Sequence, residues 1–296
     1  MKKKWIVGTR GSKLALAQTK IVIDTLKSIN PGHDFVTKTI RTTGDTVWDK
    51  PLAVIGGKGV FVKEIEEELM QGDIDLAVHS TKDIPAELGK GLVIAAYLPR
   101  EDPRDVFVST RHKSIDDLTP QCRVGTGSLR RAAQIKRFRP GIQVVPIRGN
   151  VDTRIRKLET EGLDGIVLAA AGIRRLGLQT HITEMIPVAI MVPIAGQGAI
   201  GIETRFNDDA AILAHSIDHA PTHTAITIER TIQSALGGGC NLPLGIYART
   251  EGNTINISLS LGNEKGEIIV HETITGPIAA QAALITQAIN TLRQIK

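Results

Sequence analysis

The feature that most constrains the fold is a pair of strand–turn–helix junctions in the stretch 124–156. At each junction a short apolar strand runs through a turn of small residues into a helix-like segment that carries arginines. Helix N-termini attract anions through their free N–H groups and dipole, and guanidinium groups pair with carboxylates or phosphates through two parallel hydrogen bonds. Two such junctions predict an α/β domain that binds a ligand with several negative charges; the alternative is that the arginines are solvated helix-surface residues. The arginines concerned are Arg130, Arg131, Arg148 and Arg154.

Short strands and helices alternate along residues 5–192. This alternation predicts largely parallel sheets with helices on their faces, which bind ligands at the carboxyl ends of their strands. Proline-bounded segments at 99–103 and 193–198 predict that the chain crosses from one α/β lobe to a second and back, with a ligand cleft between the lobes. The turn-rich segment 44–59 predicts a mobile loop.

After about residue 220 the pattern becomes that of a small α+β domain. It predicts a helix over 224–236, three glycines, two alternating strands and a last helix, with the apolar residues at 255, 257, 259 and 261 on one face of a strand. The predicted domains are a first lobe of residues 1–99 and 193–216, a second lobe of residues 100–192, and a C-terminal domain of residues 217–296.

Composition argues against several classes of function. Aromatic residues make up 3% of the chain and the net charge of +5 is spread along it, so anionic ligands are favoured without selecting nucleic acid. The chain contains no run of about 20 apolar residues, so no membrane span is predicted. The N-terminus lacks the apolar core of a signal peptide, so a cytoplasmic protein is expected. Cys122 and Cys240 do not form a CxxC motif. The histidines at 215, 219 and 223 have helical spacing, but Pro221 would break the helix that aligns them. No metal site is predicted.

Two motifs indicate chemistry. Lys82 and Asp83 follow a strand that reads as buried, and Asp83 could act as an acid or base or could simply pair with an arginine. Cys240 follows three glycines on a loop, which predicts a functional thiol, either a nucleophile or an attachment point. In the stretch 125–130, Arg130 occupies the position where the GxGxxG dinucleotide-binding motif requires its third glycine, so that motif is not matched. The glycines at 56–59 lack the spacing of a P-loop, so that motif is not matched either.

Taken together, these segments resemble the porphobilinogen deaminase family, and the resemblance runs in order from the first strand to Cys240. The matching stretches are GTRGS (8–12), GGKGVFVKE (56–64), AVHSTKD (77–83), REDPRD (100–105), GTGSLRR (125–131), RGNV (148–151), LAAAGIRRL (168–176), GQG (196–198) and GGC (238–240).

The resemblance implies a three-domain transferase that joins four porphobilinogen molecules head to tail, releases ammonia, and hydrolyses off linear hydroxymethylbilane in tetrapyrrole biosynthesis. It implies a dipyrromethane cofactor held by a thioether to Cys240, with Asp83 and Lys82 as catalytic residues. The implied cofactor-binding residues are Cys240, Ser12, Lys82, Thr126, Ser128, Arg130 and Arg131. The implied substrate-binding residues are Arg10, Lys58, Phe61, Arg148, Arg154 and Arg175.

The expected fold class is α/β, with two doubly wound lobes resembling type II periplasmic binding proteins and a small C-terminal α+β domain. The expected partners are porphobilinogen and the growing polypyrrole chain, with no nucleic acid or membrane, and a monomer is expected. One rival hypothesis is an anion-binding protein on a two-lobed fold, which leaves the cysteine loop and the third domain unexplained. The other is a nucleic-acid binder, which the scarcity of aromatic residues disfavours.

Overall fold

The computed structural model describes residues 3–46, 59, 61–237, 242–263 and 265–293. The chain divides into two compact units, Met1–Glu101 with Ala199–Thr224, and Asp102–Gly198 with Ala225–Lys296. The described residues form two five-stranded sheets and one three-stranded sheet, with helices in each unit. The predicted class, two α/β lobes and a small C-terminal sheet-and-helix domain, is confirmed. The predicted boundaries of the three domains stay a prediction.

The elements follow one another along the chain as strands β1 to β13 and helices α1 to α9. The strands are β1 (Lys4–Arg10), β2 (Asp34–Ile40), β3 (Leu76–Ser80), β4 (Leu92–Tyr97), β5 (Asp105–Val108), β6 (Arg123–Gly125), β7 (Gln143–Val145), β8 (Gly165–Ala169), β9 (Glu184–Met185), β10 (Ile200–Arg205), β11 (Leu244–Glu251), β12 (Thr254–Gly262) and β13 (Ile268–Pro277). The helices are α1 (Lys13–Ile29), α2 (Thr43–Thr46), α3 (Lys63–Gln71), α4 (Leu129–Phe138), α5 (Val151–Thr160), α6 (Ala170–Arg175), α7 (Asp209–His215), α8 (Ala220–Ala235) and α9 (Gln281–Arg293).

The sheet of the first unit has the order β2-β1-β3-β10-β4. β1 pairs in parallel with β2 and β3, whereas β10 lies antiparallel between β3 and β4. The prediction of a largely parallel sheet is therefore wrong for the β10 pairings. A parallel neighbour needs a crossover connection within the sheet, but β10 enters after the long excursion through residues 102–198, so no such crossover fixes its direction.

The lobe sheet of the second unit has the equivalent order β7-β6-β8-β5-β9. β6 pairs in parallel with β7 and β8, and β5 lies antiparallel between β8 and β9. β5 is the first strand after the chain leaves the first unit, as β10 is the first after its return. In both sheets the strand that follows a crossing breaks the parallel pattern.

Helix α1 shows how local sequence signals build the first unit. The side-chain oxygen of Ser12 accepts a hydrogen bond from the backbone N–H of Ala15 at 3.2 Å, so Ser12 caps the helix. The buried face of the helix carries Val22 and Leu26, which pack with Trp5 in one apolar cluster. Each fully buried side chain of this kind contributes about 1.5–3 kcal/mol to stability.

The C-terminal sheet has three strands, β11-β12-β13, where two were predicted. The predicted apolar face is confirmed, because Ile255, Ile257 and Leu259 of β12 are fully buried in one cluster with residues of α9. Gly245 interrupts the alternation of apolar and polar side chains along β11. A side chain does not fit at this position, because a Cβ there would lie 2.7 Å from the carbonyl oxygen of Val192.

The described helices include none that is both long enough and apolar enough to cross a bilayer.

Candidate active site

The first group of predicted site residues lies where β1 and β3 end. These strands are parallel neighbours, so their carboxyl ends meet at one edge of the sheet. β1 extends as far as Arg10, because each of its residues pairs with β2. A short 3-10 helix, Thr81–Asp83, follows β3 directly and carries Lys82 and Asp83. The sheet thus brings Arg10 and Asp83 together.

Arg10 contacts both an acidic and an aromatic side chain. Its Nη1 lies 4.0 Å from Oδ2 of Asp83, and its guanidinium lies 4.1 Å above the centre of the Phe61 ring. The Asp83 side chain is 35% exposed, and a pair this long and this accessible contributes little to stability. Asp83 is therefore held near a cation at an accessible strand end, where a ligand can reach it.

Ser12 and Lys58 complete the predicted residues of the first unit. Ser12 caps α1, and a hydroxyl that accepts one hydrogen bond from the helix can still donate another. Lys58 and most of the predicted mobile loop at 44–59 lie outside the described residues, apart from α2 and Gly59.

The second group of predicted residues lies at the carboxyl ends of β6, β7 and β8. Thr126 and Ser128 follow β6, Arg148 follows β7, and Arg175 ends the helix that follows β8. Ser128 caps α4 by accepting from the backbone N–H of Arg131 at 3.4 Å, and Thr126 accepts from the backbone N–H of Ser128 at 3.2 Å. Three adjacent parallel strand ends therefore present hydroxyl groups, helix N-termini and arginines at one edge.

Arg130 and Arg131 are buried around one carboxylate. Arg130 Nη1 donates to Oδ2 of Asp105 at 2.7 Å, and Arg131 Nε donates to Oδ1 at 2.9 Å. Burial alone would raise the pKa of Asp105, but the two guanidinium groups lower it to about 2. Two arginines and one aspartate leave a net positive charge beneath the N-terminus of α4. The predicted role of these arginines in cofactor binding stays a prediction, since in the structure both guanidinium groups bind Asp105.

Asp105→Asn is expected to destabilise the fold by about 3–5 kcal/mol, because it leaves two buried guanidinium groups without their counter-charge. Urea unfolding measures this change. Since the folded-state pKa lies below the unfolded value near 4, the stabilisation is present above about pH 4 and is lost as the pH falls toward 2. The matched control is Glu251→Gln, which removes the exposed partner of Arg249 and should cost under about 1 kcal/mol. Equal stability of the two variants would contradict the prediction.

The N-terminus of α5 is shaped by backbone geometry. Gly149 has a φ of +115°, a conformation that favours glycine, and a Cβ there would lie 2.7 Å from the Thr153 side chain. Asn150 starts the helix without a capping hydrogen bond from its side chain. Arg154 Nε donates to the carbonyl of Gly149 at 2.8 Å, and Arg175 Nη2 donates to the carbonyl of Gly198 at 2.6 Å. The backbone N–H groups of α5 and these cations form a donor set suited to carboxylates.

Sequence reasoning missed two residues that organise the second group. Asp105 and Gln197 lie in two of the stretches that resemble the family, REDPRD and GQG, and neither is predicted as a site residue. In the structure Gln197 Nε2 donates to Oδ1 of Asp105 at 3.0 Å and to the carbonyl of Pro103 at 2.6 Å. The available signal was an acidic residue at the head of an otherwise apolar strand, which marks a buried charge in need of cationic partners.

Comparisons of the sequence with known proteins agree on one family. Residues 5–213 match the family model "Porphobilinogen deaminase, dipyromethane cofactor binding domain", and residues 223–293 match "Porphobilinogen deaminase, C-terminal domain". The porphobilinogen deaminase of Desulforudis audaxviator is 47% identical over 96% of this chain and 92% of its own length. That of Brevibacillus brevis is 46% identical over 99% of this chain and 97% of its own length.

Among solved structures, a nutrient-binding protein from Burkholderia cenocepacia bound to methionine is 12% identical, with a TM-score of 0.44 over 72% of this chain and 91% of that chain. The sequence comparisons span the first strand to the last helix, and both described site groups fall within the cofactor-domain match. The chain belongs to the porphobilinogen deaminase family.

Proposed function

We propose that this chain carries out the reaction of its family. It joins four porphobilinogen molecules head to tail, releases one ammonia at each step, and hydrolyses off linear hydroxymethylbilane for tetrapyrrole biosynthesis. The observation that carries the proposal is the 46% identity to a porphobilinogen deaminase over 99% of this chain. The chemistry of both groups of site residues supports it.

Carboxylate binding is the task of the second group. Each pyrrole unit bears an acetate and a propionate, so negative charge accumulates as the product grows. The N-terminus of α5 with Arg148, Arg154 and Arg175 supplies donors of the required charge, and each charge-assisted hydrogen bond contributes about 1.5–3 kcal/mol. The buried cluster around Asp105 adds a net positive charge at the same edge.

The donor chemistry of this edge also fits a dipyrromethane, which carries the same acetate and propionate groups. Thr126, Ser128 and the start of α4 would hold its carboxylates, with Ser12 and Lys82 as further cofactor-binding residues. Covalent attachment by a thioether is assigned to Cys240, which lies outside the described residues. When bound, the group supplies the primer to which the first substrate is joined.

Asp83 is the proposed catalytic carboxylate. Loss of ammonia from porphobilinogen creates an electron-poor methylene-pyrrole cation, and a carboxylate near it stabilises the positive charge and accepts a hydrogen bond from the pyrrole N–H. The long, accessible contact with Arg10 keeps Asp83 available for this role. Lys82, beside Asp83 in the same turn, is assigned to catalysis and to the cofactor carboxylates. Arg10, on the Phe61 ring, is assigned to the substrate carboxylates.

Arg148→Lys is expected to slow chain elongation about tenfold without unfolding the protein, because lysine keeps the charge but loses one of two parallel hydrogen bonds. Single-turnover elongation followed by mass spectrometry measures the rate of each addition. Arg156→Lys, an exposed position on α5, is the matched control and should leave elongation unchanged. If folded Arg148→Lys elongates the chain at the wild-type rate, Arg148 does not bind the substrate carboxylates.

The proposed function is tested by the intact mass and turnover of the purified protein. An adduct of two pyrrole rings, together with conversion of porphobilinogen to hydroxymethylbilane, supports it. Tight binding of polycarboxylates with neither adduct nor turnover would favour an anion-binding protein instead. We also assign the protein to the cytoplasm as a monomer, and size-exclusion chromatography with light scattering tests the monomer.

A further inference from the structure

Three side chains with metal-binding chemistry lie together in the second unit. His112 lies in the loop after β5, Cys122 directly before β6, and Asp164 directly before β8. One ligand atom from each residue lies within 4.8 Å of the other two, and Nε2 of His112 is 3.8 Å from Oδ1 of Asp164. The sheet creates this cluster, because β5 runs antiparallel to β8 while β6 runs parallel to it.

We propose that His112, Cys122 and Asp164 bind a zinc ion. A thiolate, an imidazole and a carboxylate are ligands that zinc prefers, and three protein ligands leave a fourth tetrahedral position for water. Co²⁺ takes the same ligands, whereas Mg²⁺ and Ca²⁺ require sets of oxygen atoms and are not expected to bind.

Hydrogen bonds hold two of the ligands in place. The Ser109 hydroxyl donates to the backbone carbonyl of Asp164 at 2.6 Å and accepts from the backbone N–H of His112 at 3.0 Å. The backbone N–H of Arg123 donates to Oδ2 of Asp164 at 2.7 Å, which leaves Oδ1 on the side of His112. Such supporting bonds orient metal ligands before the ion arrives.

Arg111 competes with the ion for the same oxygen. Its Nη1 lies 3.2 Å from Oδ1 of Asp164, and its side chain is 59% exposed. An exposed guanidinium can turn into solvent at little cost. Zinc bond lengths place ligand atoms roughly 3.3–3.8 Å apart, so the three side chains must also draw together by about 1 Å. Removal of the Arg111 charge should therefore tighten metal binding.

The site is separate from the proposed active site. Cys122 and Asp164 lie at the amino ends of β6 and β8, whereas the donor groups lie at the carboxyl ends of the same strands. The length of β8, at about 3.3 Å per residue, puts about 16 Å between the two edges. An ion here ties together the loop after β5 and the connections before β6 and β8. Its expected effect is on stability, because a ligand of the folded state alone stabilises that state.

Metal binding is tested on the full-length protein after dialysis against a chelator. Calorimetry should show one high-affinity equivalent of Zn²⁺, and Co²⁺ should give a thiolate-to-metal charge-transfer band. Zn²⁺ should raise the melting temperature, and Mg²⁺ should not. Affinity should fall at least tenfold in His112→Ala, Cys122→Ser and Asp164→Asn, and it should rise in Arg111→Gln.

Two control variants test whether Zn²⁺ binds to other histidine or cysteine side chains of the protein. His181→Ala removes an exposed histidine of the same lobe, and Cys240→Ser removes the other cysteine; both should bind Zn²⁺ as the wild type does. Circular dichroism checks that each variant is folded, and His112→Ala keeps the test valid if the buried Cys122 tolerates no change. Absence of binding in both wild type and Arg111→Gln, or unchanged affinity in folded His112→Ala, would overturn the proposal.

Discussion

Cys240→Ser is expected to give folded protein that carries no covalent adduct and has no measurable turnover. The reason is chemical: a thiol forms a nucleophilic thiolate near neutral pH, whereas a serine hydroxyl does so only with an adjacent base. The sequence neighbours of Cys240, three glycines before it and Asn-Leu-Pro after it, supply no such base. Intact mass measures the adduct, and consumption of porphobilinogen measures turnover.

The other cysteine is the matched control for this prediction. Cys122 is buried directly before β6, at the opposite end of that strand from Thr126 and Ser128, so its thiol lies away from the proposed cofactor-binding residues. Cys122→Ala should therefore retain the adduct, and peptide mapping should place that adduct on the peptide containing Cys240. An adduct on the Cys122 peptide, or full turnover in Cys240→Ser, would show that the attachment site is misassigned.

Asp83→Asn is expected to lower turnover by about 10²–10⁴-fold while the fold and the adduct remain. Asparagine keeps the shape and one hydrogen-bonding oxygen but loses the negative charge that stabilises the substrate cation. The contact between Asp83 and Arg10 is 4.0 Å long and partly exposed, so its loss should barely change the melting temperature. Turnover and thermal melting measured on one preparation give both quantities.

Asp24→Asn provides the control for the lost carboxylate. Asp24 is 57% exposed on α1 and pairs with Lys20, so its change should alter neither turnover nor melting. If Asp83 serves only as the partner of Arg10, Asp83→Asn should instead show near-normal turnover, again with little change in the melting temperature. That pattern would remove Asp83 from the catalytic role.

Much of the local structure was predictable because its signals lie within a few residues. The Ser12 cap and the apolar face of α1 come from one short segment, and the alternation along β12 from another. The position of Asp83 directly after a strand is an equally local signal. The three glycines before Cys240 are also a local signal in the sequence, so both residues can be predicted as site residues from the sequence. The strand directions could not be predicted in this way. Whether a strand runs parallel or antiparallel depends on which strand it pairs with, and its own residues do not determine that partner.

The sequence by itself determined the α/β class, most strand and helix positions, and the family, because periodicity, caps and motifs are written in contiguous residues. Only the tertiary structure decided that β5 and β10 run antiparallel to their neighbours and that Arg130 and Arg131 bind a buried Asp105. It also decided that His112, Cys122 and Asp164 meet at one sheet edge. Such contacts join residues far apart in the chain, and they exist only because the pairing of strands places those residues side by side and removes water from between them.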